Sequence, residues 1–229
     1  SKFQSAAPIP TQLSSPSGHT LADLQTMNDQ ELHDFLISVD KTDIPDFLSD
    51  LHLQKMVYAL GMNDAPEIVS DAQLKQLVNN GATPLYRTVN DTQVNGVDFT
   101  AQDICDMMLE GDTTYIGRGI HGDGLYFSNS LSGSKAYGYG SAKTMTAVLN
   151  SNAKVISENR LRSEYDAFVK NNPATRKALG FAKSKSSHDS MSQFALMRGY
   201  NVITSPQSGG ENYYTVLDRK VLTMTKTTR

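Results

Sequence analysis

The sequence predicts an α+β protein in which an N-terminal helical subdomain precedes a core of short antiparallel strands. Three observations carry that expectation. Apolar residues in the first third recur at helical spacing, as in Leu32, Phe35, Leu36 and Val39. From residue 80 onward the chain turns to short alternating runs rich in Tyr, Val and Thr, bounded by Gly, Ser and Asn. A length of 229 residues suffices for one substantial core with a small appended unit.

Composition narrows the class of partner. With 38% apolar and 20% charged residues the chain is ordinary for a globular protein. A net charge of -3 and a pI near 5.9 advertise no global attraction for nucleic acid or anionic membrane. One cysteine, Cys105, forms no intrachain disulfide and reads as a buried thiol on a helix. No His/Cys cluster suggests a metal, and no run approaches the roughly 20 apolar residues of a membrane span.

In chain order, residues 1–18 are rich in Ser, Pro and Gln and read as a flexible tether. Residues 19–79 form the helical subdomain. Asn28 and Glu31 make a capping box for a helix through Val39; a second amphipathic stretch covers 44–60, and a third helix covers 70–78 before Gly81. Pro84 to Val89 reads as the first strand. Residues 99–109 read as a helix capped by Asp98 or Thr100, and Leu125-Tyr126-Phe127 as a buried strand. A short helix or turn starts between Ser134 and Tyr139. Farther on come a strand at 153–157, helices at 158–170, 173–179 and 187–197, and strands at 200–204, 213–217 and 221–225.

The chemistry concentrates in residues 114–139, TYIGRGIHGDGLYFSNSLSGSKAYGY. Gly117, Gly119, Gly122 and Gly124 let the backbone turn and approach a ligand closely, since no Cβ intervenes. Arg118 and His121 protrude from that loop. Ser128, Asn129 and Ser130 offer small polar groups to a sugar or a carboxamide. From the residues alone this segment is either the floor of a nucleotide pocket or a glycine-rich hairpin closing a sheet. Arg87, in mid-strand, is either an anion clamp or an edge residue in solvent. The basic run Arg176, Lys177, Lys183 and Lys185 reads as a solvated loop.

Gly122-Asp123-Gly124-Leu125-Tyr126-Phe127, with Tyr137 ten residues beyond Phe127, resembles the signature of the ADP-ribosyltransferase superfamily, in its poly(ADP-ribose) polymerase-like branch. Tyr86-Arg87 resembles the first motif of the toxin-like branch, and Tyr126-Phe127-Ser128-Asn129-Ser130 its aromatic-x-Ser-Thr-Ser motif. The resemblance covers residues 80–229. It implies an ADP-ribosyltransferase-like core of two facing antiparallel sheets, with NAD as substrate in the cleft between them and no metal.

By that resemblance Arg87 clamps NAD, Tyr137 stacks on nicotinamide with Tyr139 as competitor, and Ser128 organises the pocket. Thr88, Gly122, Gly124, Tyr126 and Tyr213 line it. Two positions depart from the pattern: Thr88 replaces a glycine, and Tyr213 stands where the polymerase-like branch carries its glutamate. Glu211, two residues earlier, matches the first acid of the toxin-like E-x-E and becomes the expected working carboxylate. The implied activity is mono-ADP-ribosylation of a macromolecular target, protein or nucleic acid, with release of nicotinamide. The implied setting is a bacterial or phage toxin or effector, resident in the cytoplasm or delivered into a target cell, with an antitoxin or immunity protein as partner. An NAD glycohydrolase or a catalytically silent NAD-binding module would carry the same motifs.

Overall fold

Leu85–Val89, sequence LYRTV, is the strand that orders the sheet. Its residues alternate between buried and half-buried, because successive side chains leave a strand on opposite faces. The computed structural model describes residues 21–38, 65–94, 96–110, 124–170 and 188–229. The tether, the stretch at 44–60, the helix at 173–179, the basic run, and Gly117, Arg118, Gly119, His121 and Gly122 lie outside the described residues.

The strands are β1 (Glu67–Ile68), β2 (Leu85–Val89), β3 (Thr92–Val94), β4 (Val97–Phe99), β5 (Leu125–Ser128), β6 (Lys143–Leu149), β7 (Val155–Ser157), β8 (Val202–Pro206), β9 (Asn212–Val216) and β10 (Leu222–Thr228). The helices are α1 (Leu21–Thr26), α2 (Asp29–Ser38), α3 (Asp71–Asn79), α4 (Ala101–Leu109), α5 (Leu131–Lys135), α6 (Glu158–Val169) and α7 (His188–Met197). Eight strands form one sheet in the order β1-β10-β6-β2-β5-β9-β8-β7, and β3 and β4 form a small hairpin. Among the described residues only the outermost pairs, β1 with β10 and β7 with β8, are parallel.

The sheet is continuous, so the expectation of two separate facing sheets is corrected, yet it has a narrow waist. β2 pairs with β6 along its whole length but meets β5 at a single register position, Tyr86 opposite Ser128. Beside that position Arg87 Nη1 donates to the Tyr126 carbonyl at 3.1 Å. A side chain thus satisfies a backbone acceptor where the ladder stops.

Local signals fix the helices as expected. Ser70 and Gln73 make a reciprocal capping box on α3, and Thr100 and Asp103 do so on α4. Asn28 and Glu31 exchange the same two bonds at the start of α2. Strand β6, KTMTAVL, was not foreseen by alternation, because its burial does not follow a period of two.

Two apolar clusters cover opposite faces of the sheet. Leu85, Val89, Phe127 and Met145 pack with Ile104, Cys105 and Met108 of α4 on one face. On the other, Ile203 packs with Leu161, Phe168 and Phe194 of α6 and α7, and with Leu24, Leu32 and Phe35 of α1 and α2. His33 stacks on Phe168 with ring centroids 4.0 Å apart, and Arg198 pairs with Asp29. The described N-terminal helices therefore share a core with the C-terminal third.

Candidate functional site

Register brings one row of side chains across five strands on the face opposite α4. Thr146, Tyr86, Ser128, Tyr213 and Ser205 are consecutive partners along β6, β2, β5, β9 and β8. Directly opposed antiparallel residues share a face, so all five point the same way. The row crosses the waist of the sheet at Tyr86 and Ser128.

Ser128 is buried and fully engaged. Its hydroxyl donates to Glu211 Oε1 at 2.6 Å and accepts from the Ser130 amide at 3.0 Å. Its single proton is committed to the carboxylate, which fixes the direction of the bond. Glu211 reaches this position from a tight turn in which Gly209 and Gly210 hold φ of 71° and 81°, conformations that favour glycine. The turn closes through the Gln207 amide, which donates to the Glu211 carbonyl at 2.8 Å. Asn129 ties the two segments together, its Oδ1 accepting from the Asn212 amide at 2.8 Å.

Glu211 also lies against α5. A Cβ built on Gly133 would stand 2.7 Å from its Cδ and 2.8 Å from its Oε2, so a side chain there would push that carboxylate aside. Thr88 secures the same helix: its hydroxyl lies 2.9 Å from Ser134 Oγ and 2.8 Å from Thr144 Oγ1. Thr88 thus supports the wall of the site.

Tyr137 follows α5 and meets Tyr213. Their hydroxyls are 2.6 Å apart, and their rings pack edge-on with centroids 6.4 Å apart. That hydrogen bond, then desolvation and the charges of Tyr137 and Glu211, push the Tyr213 phenol up to about 12. Tyr213 is therefore neutral across the physiological range. Tyr139 is 71% exposed and Tyr137 61%. Asn90 pins the turn that bears both, donating to the Tyr137 carbonyl at 3.0 Å and accepting from the Tyr139 amide at 3.0 Å.

Arg87 and Gly124 behave differently from expectation, and Tyr126 keeps the face of the site. Arg87 alternates with Tyr86 and Thr88, so it leaves β2 on the α4 face, buried with Leu85 and Val89. There its guanidinium serves the Tyr126 carbonyl and acts on the Cys105 thiol, which burial and Asp106 nevertheless push up to about 11. Gly124 is required by packing: a Cβ would stand 2.8 Å from Thr215 Cγ2 and from the Val216 carbonyl. Tyr126 shares the face of Ser128 and lies opposite Thr215. Sequence reasoning missed Asn90 and Gly133, and it offered Asn129 to a ligand, whereas its Oδ1 is taken by the Asn212 amide. Only the glycine, set in an otherwise serine-rich helix start, left a signal.

The assembled site offers a carboxylate oriented by a serine, the neutral Tyr213 phenol and the exposed ring of Tyr137 beside it. Among the described residues no group of His, Cys, Asp and Glu is placed to hold a metal ion. No helix of the described residues is long and apolar enough to cross a membrane. The fold and site define an α+β protein with a cluster centred on a carboxylate at the waist of its sheet. Compared with protein-family models, curated proteins and solved structures, the chain matches none.

Proposed function

We propose that the chain is an NAD-dependent mono-ADP-ribosyltransferase that moves ADP-ribose to a macromolecular acceptor and releases nicotinamide. The observation that carries this reading is the 2.6 Å bond from Ser128 to Glu211. It joins two residues picked out by separate motifs and sets them beside Tyr137 at the centre of the sheet.

Cleavage of the glycosidic bond sends its electron pair to the nicotinamide nitrogen and leaves positive charge on the ribose. Glu211 stabilises that charge and accepts from a ribose hydroxyl through the oxygen lone pairs that Ser128 leaves open. Tyr137 separates from Tyr213 and lays its ring on nicotinamide, where a π face suits a cationic heterocycle. Tyr213 closes the cleft as a neutral donor. The acceptor's lone pair forms the new bond to the ribose carbon, and its proton passes to water. With a single carboxylate and a phenol at the position of a second, the site suits transfer of one ADP-ribose. The same resemblance suggests a toxin or effector of bacterial or phage origin.

The test is incubation with NAD labelled in its adenylate half and a cell extract, followed by protease or nuclease. Label on macromolecules that either digestion releases supports transfer. Nicotinamide release with all label left as free ADP-ribose would replace transfer by hydrolysis, and no NAD turnover would leave a silent binding fold.

A further inference from the structure

The transferase reading needs cations for the two phosphates of NAD, and Arg87 lies on the wrong face of β2 to supply them. We propose that the ADP half of NAD occupies a groove between α3 and the strands β2, β6 and β10, where Lys75 and Arg229 contact its phosphates. This deepens the proposed function and rests on it.

The groove has a volume of about 380 Å³ and is lined by Lys75, Tyr86, Thr146, Thr225 and Arg229 among others. That is within the range of small-molecule sites, about 300–1,000 Å³. Tyr86 and Thr146 are the two members of the cross-strand row next to Ser128, so the groove and the Ser128–Glu211 pair adjoin on one face. Two strand spacings, about 10 Å, separate Ser128 from Thr146. An extended dinucleotide with its nicotinamide ribose at Glu211 places its phosphates at that range.

The alternative direction is filled. Beyond β9 the same face is covered by α1, α2, α6 and α7, whose apolar side chains pack on Ile203. Toward β6 the groove stays open and presents two cations, hydroxyls and the Tyr86 ring beside the apolar side chains of Leu74, Val78 and Pro84. Arg229 is held by paired backbone bonds with Thr144, at 2.9 and 3.0 Å, which fixes the base of its side chain. Lys75 projects from the middle of α3, and Leu74 beside it is buried. Asp71 is the acid lining the groove, and its carboxylate accepts from Thr227 Oγ1 at 2.8 Å.

The probe is ADP, titrated calorimetrically into the full chain, alongside the KM of nicotinamide release. Wild type binds ADP; the double variant Lys75→Ala/Arg229→Ala binds it at least about tenfold more weakly, since each charge-assisted contact contributes more than a neutral one. Lys75→Arg retains binding, Asp71→Asn tightens it, and the circular dichroism of every variant stays that of wild type. The double variant raises KM for NAD and leaves kcat unchanged.

ADP binding that the double variant leaves intact, or wild type that binds no ADP, overturns the proposal. Nicotinamide release with unchanged KM in the double variant overturns the subsite while the transferase reading stands. ADP binding that depends on both cations, in a protein that releases no nicotinamide, supports the subsite while the transferase reading falls.

Discussion

Ser128 and Glu211, 83 residues apart in sequence, are joined by a 2.6 Å hydrogen bond at the waist of the sheet. The bond exists because β5 pairs with β9 so that Ser128 opposes Tyr213, and the glycine turn before β9 swings Glu211 back over the end of β5. Strand pairing sets the position and the turn sets the direction. The carboxylate is thereby aimed before any ligand arrives, which is where preorganised electrostatics is most effective.

Gly133 leaves room for that carboxylate, so Gly133→Ala should separate catalysis from stability. The added methyl meets only the end of the Glu211 side chain, which can swing aside. Alanine favours a helix over glycine by about 1 kcal/mol. The melting temperature is expected to hold or rise, while nicotinamide release falls at least about tenfold because the carboxylate leaves Ser128. An unchanged rate, measured beside a thermal melt, would show that Glu211 is not held where the chemistry needs it.

The phenol pair predicts a titration. Because the value for Tyr213 is raised to about 12 from the usual 10, folding favours its protonated form. That contribution is complete below about pH 10 and is lost as pH rises through 12. Tyr137→Phe removes the first cause, so the ring resonances of Tyr213, followed by NMR, are expected to titrate closer to 10. A titration unmoved by the substitution would place the cause in the surroundings rather than in Tyr137.

Arg87→Ala should act on the fold. It strips the Tyr126 carbonyl of a buried donor at the one place where β2 and β5 meet, at a cost of about 2 kcal/mol. Denaturant unfolding is expected to show that loss. At temperatures where the variant stays folded, its KM for NAD should match wild type. A raised KM with undiminished stability would instead return Arg87 to the ligand.

Much of the architecture was legible in the chain because local chemistry decided it. The capping residues of α2 and α4 and the apolar run of β5 each carry their own cause. Ser128, Tyr137, Glu211 and Tyr213 were singled out from motif spacing, and the structure brings all four together. The face of Arg87 was not legible, since it depends on the register of β2 against β5, which only the folded sheet fixes. Strand β6 was missed because it is buried on both faces, and a strand covered on both sides loses its alternation. Asn90 acts through backbone groups brought close by tertiary folding and has no pattern of its own, and the backbone partner of Asn129 is likewise fixed only by folding.

The measurement that tests the central claim most directly is nicotinamide release from NAD by wild type and by Glu211→Gln, with Ser128→Ala beside them. Glutamine keeps the size and still accepts from Ser128 but removes the charge, so the fold is retained. The account predicts turnover by wild type and a loss of about 100-fold or more in Glu211→Gln, with a smaller loss in Ser128→Ala. Turnover by Glu211→Gln equal to wild type would contradict the account, because the carboxylate that the sheet and its turn hold on Ser128 would then take no part in the reaction.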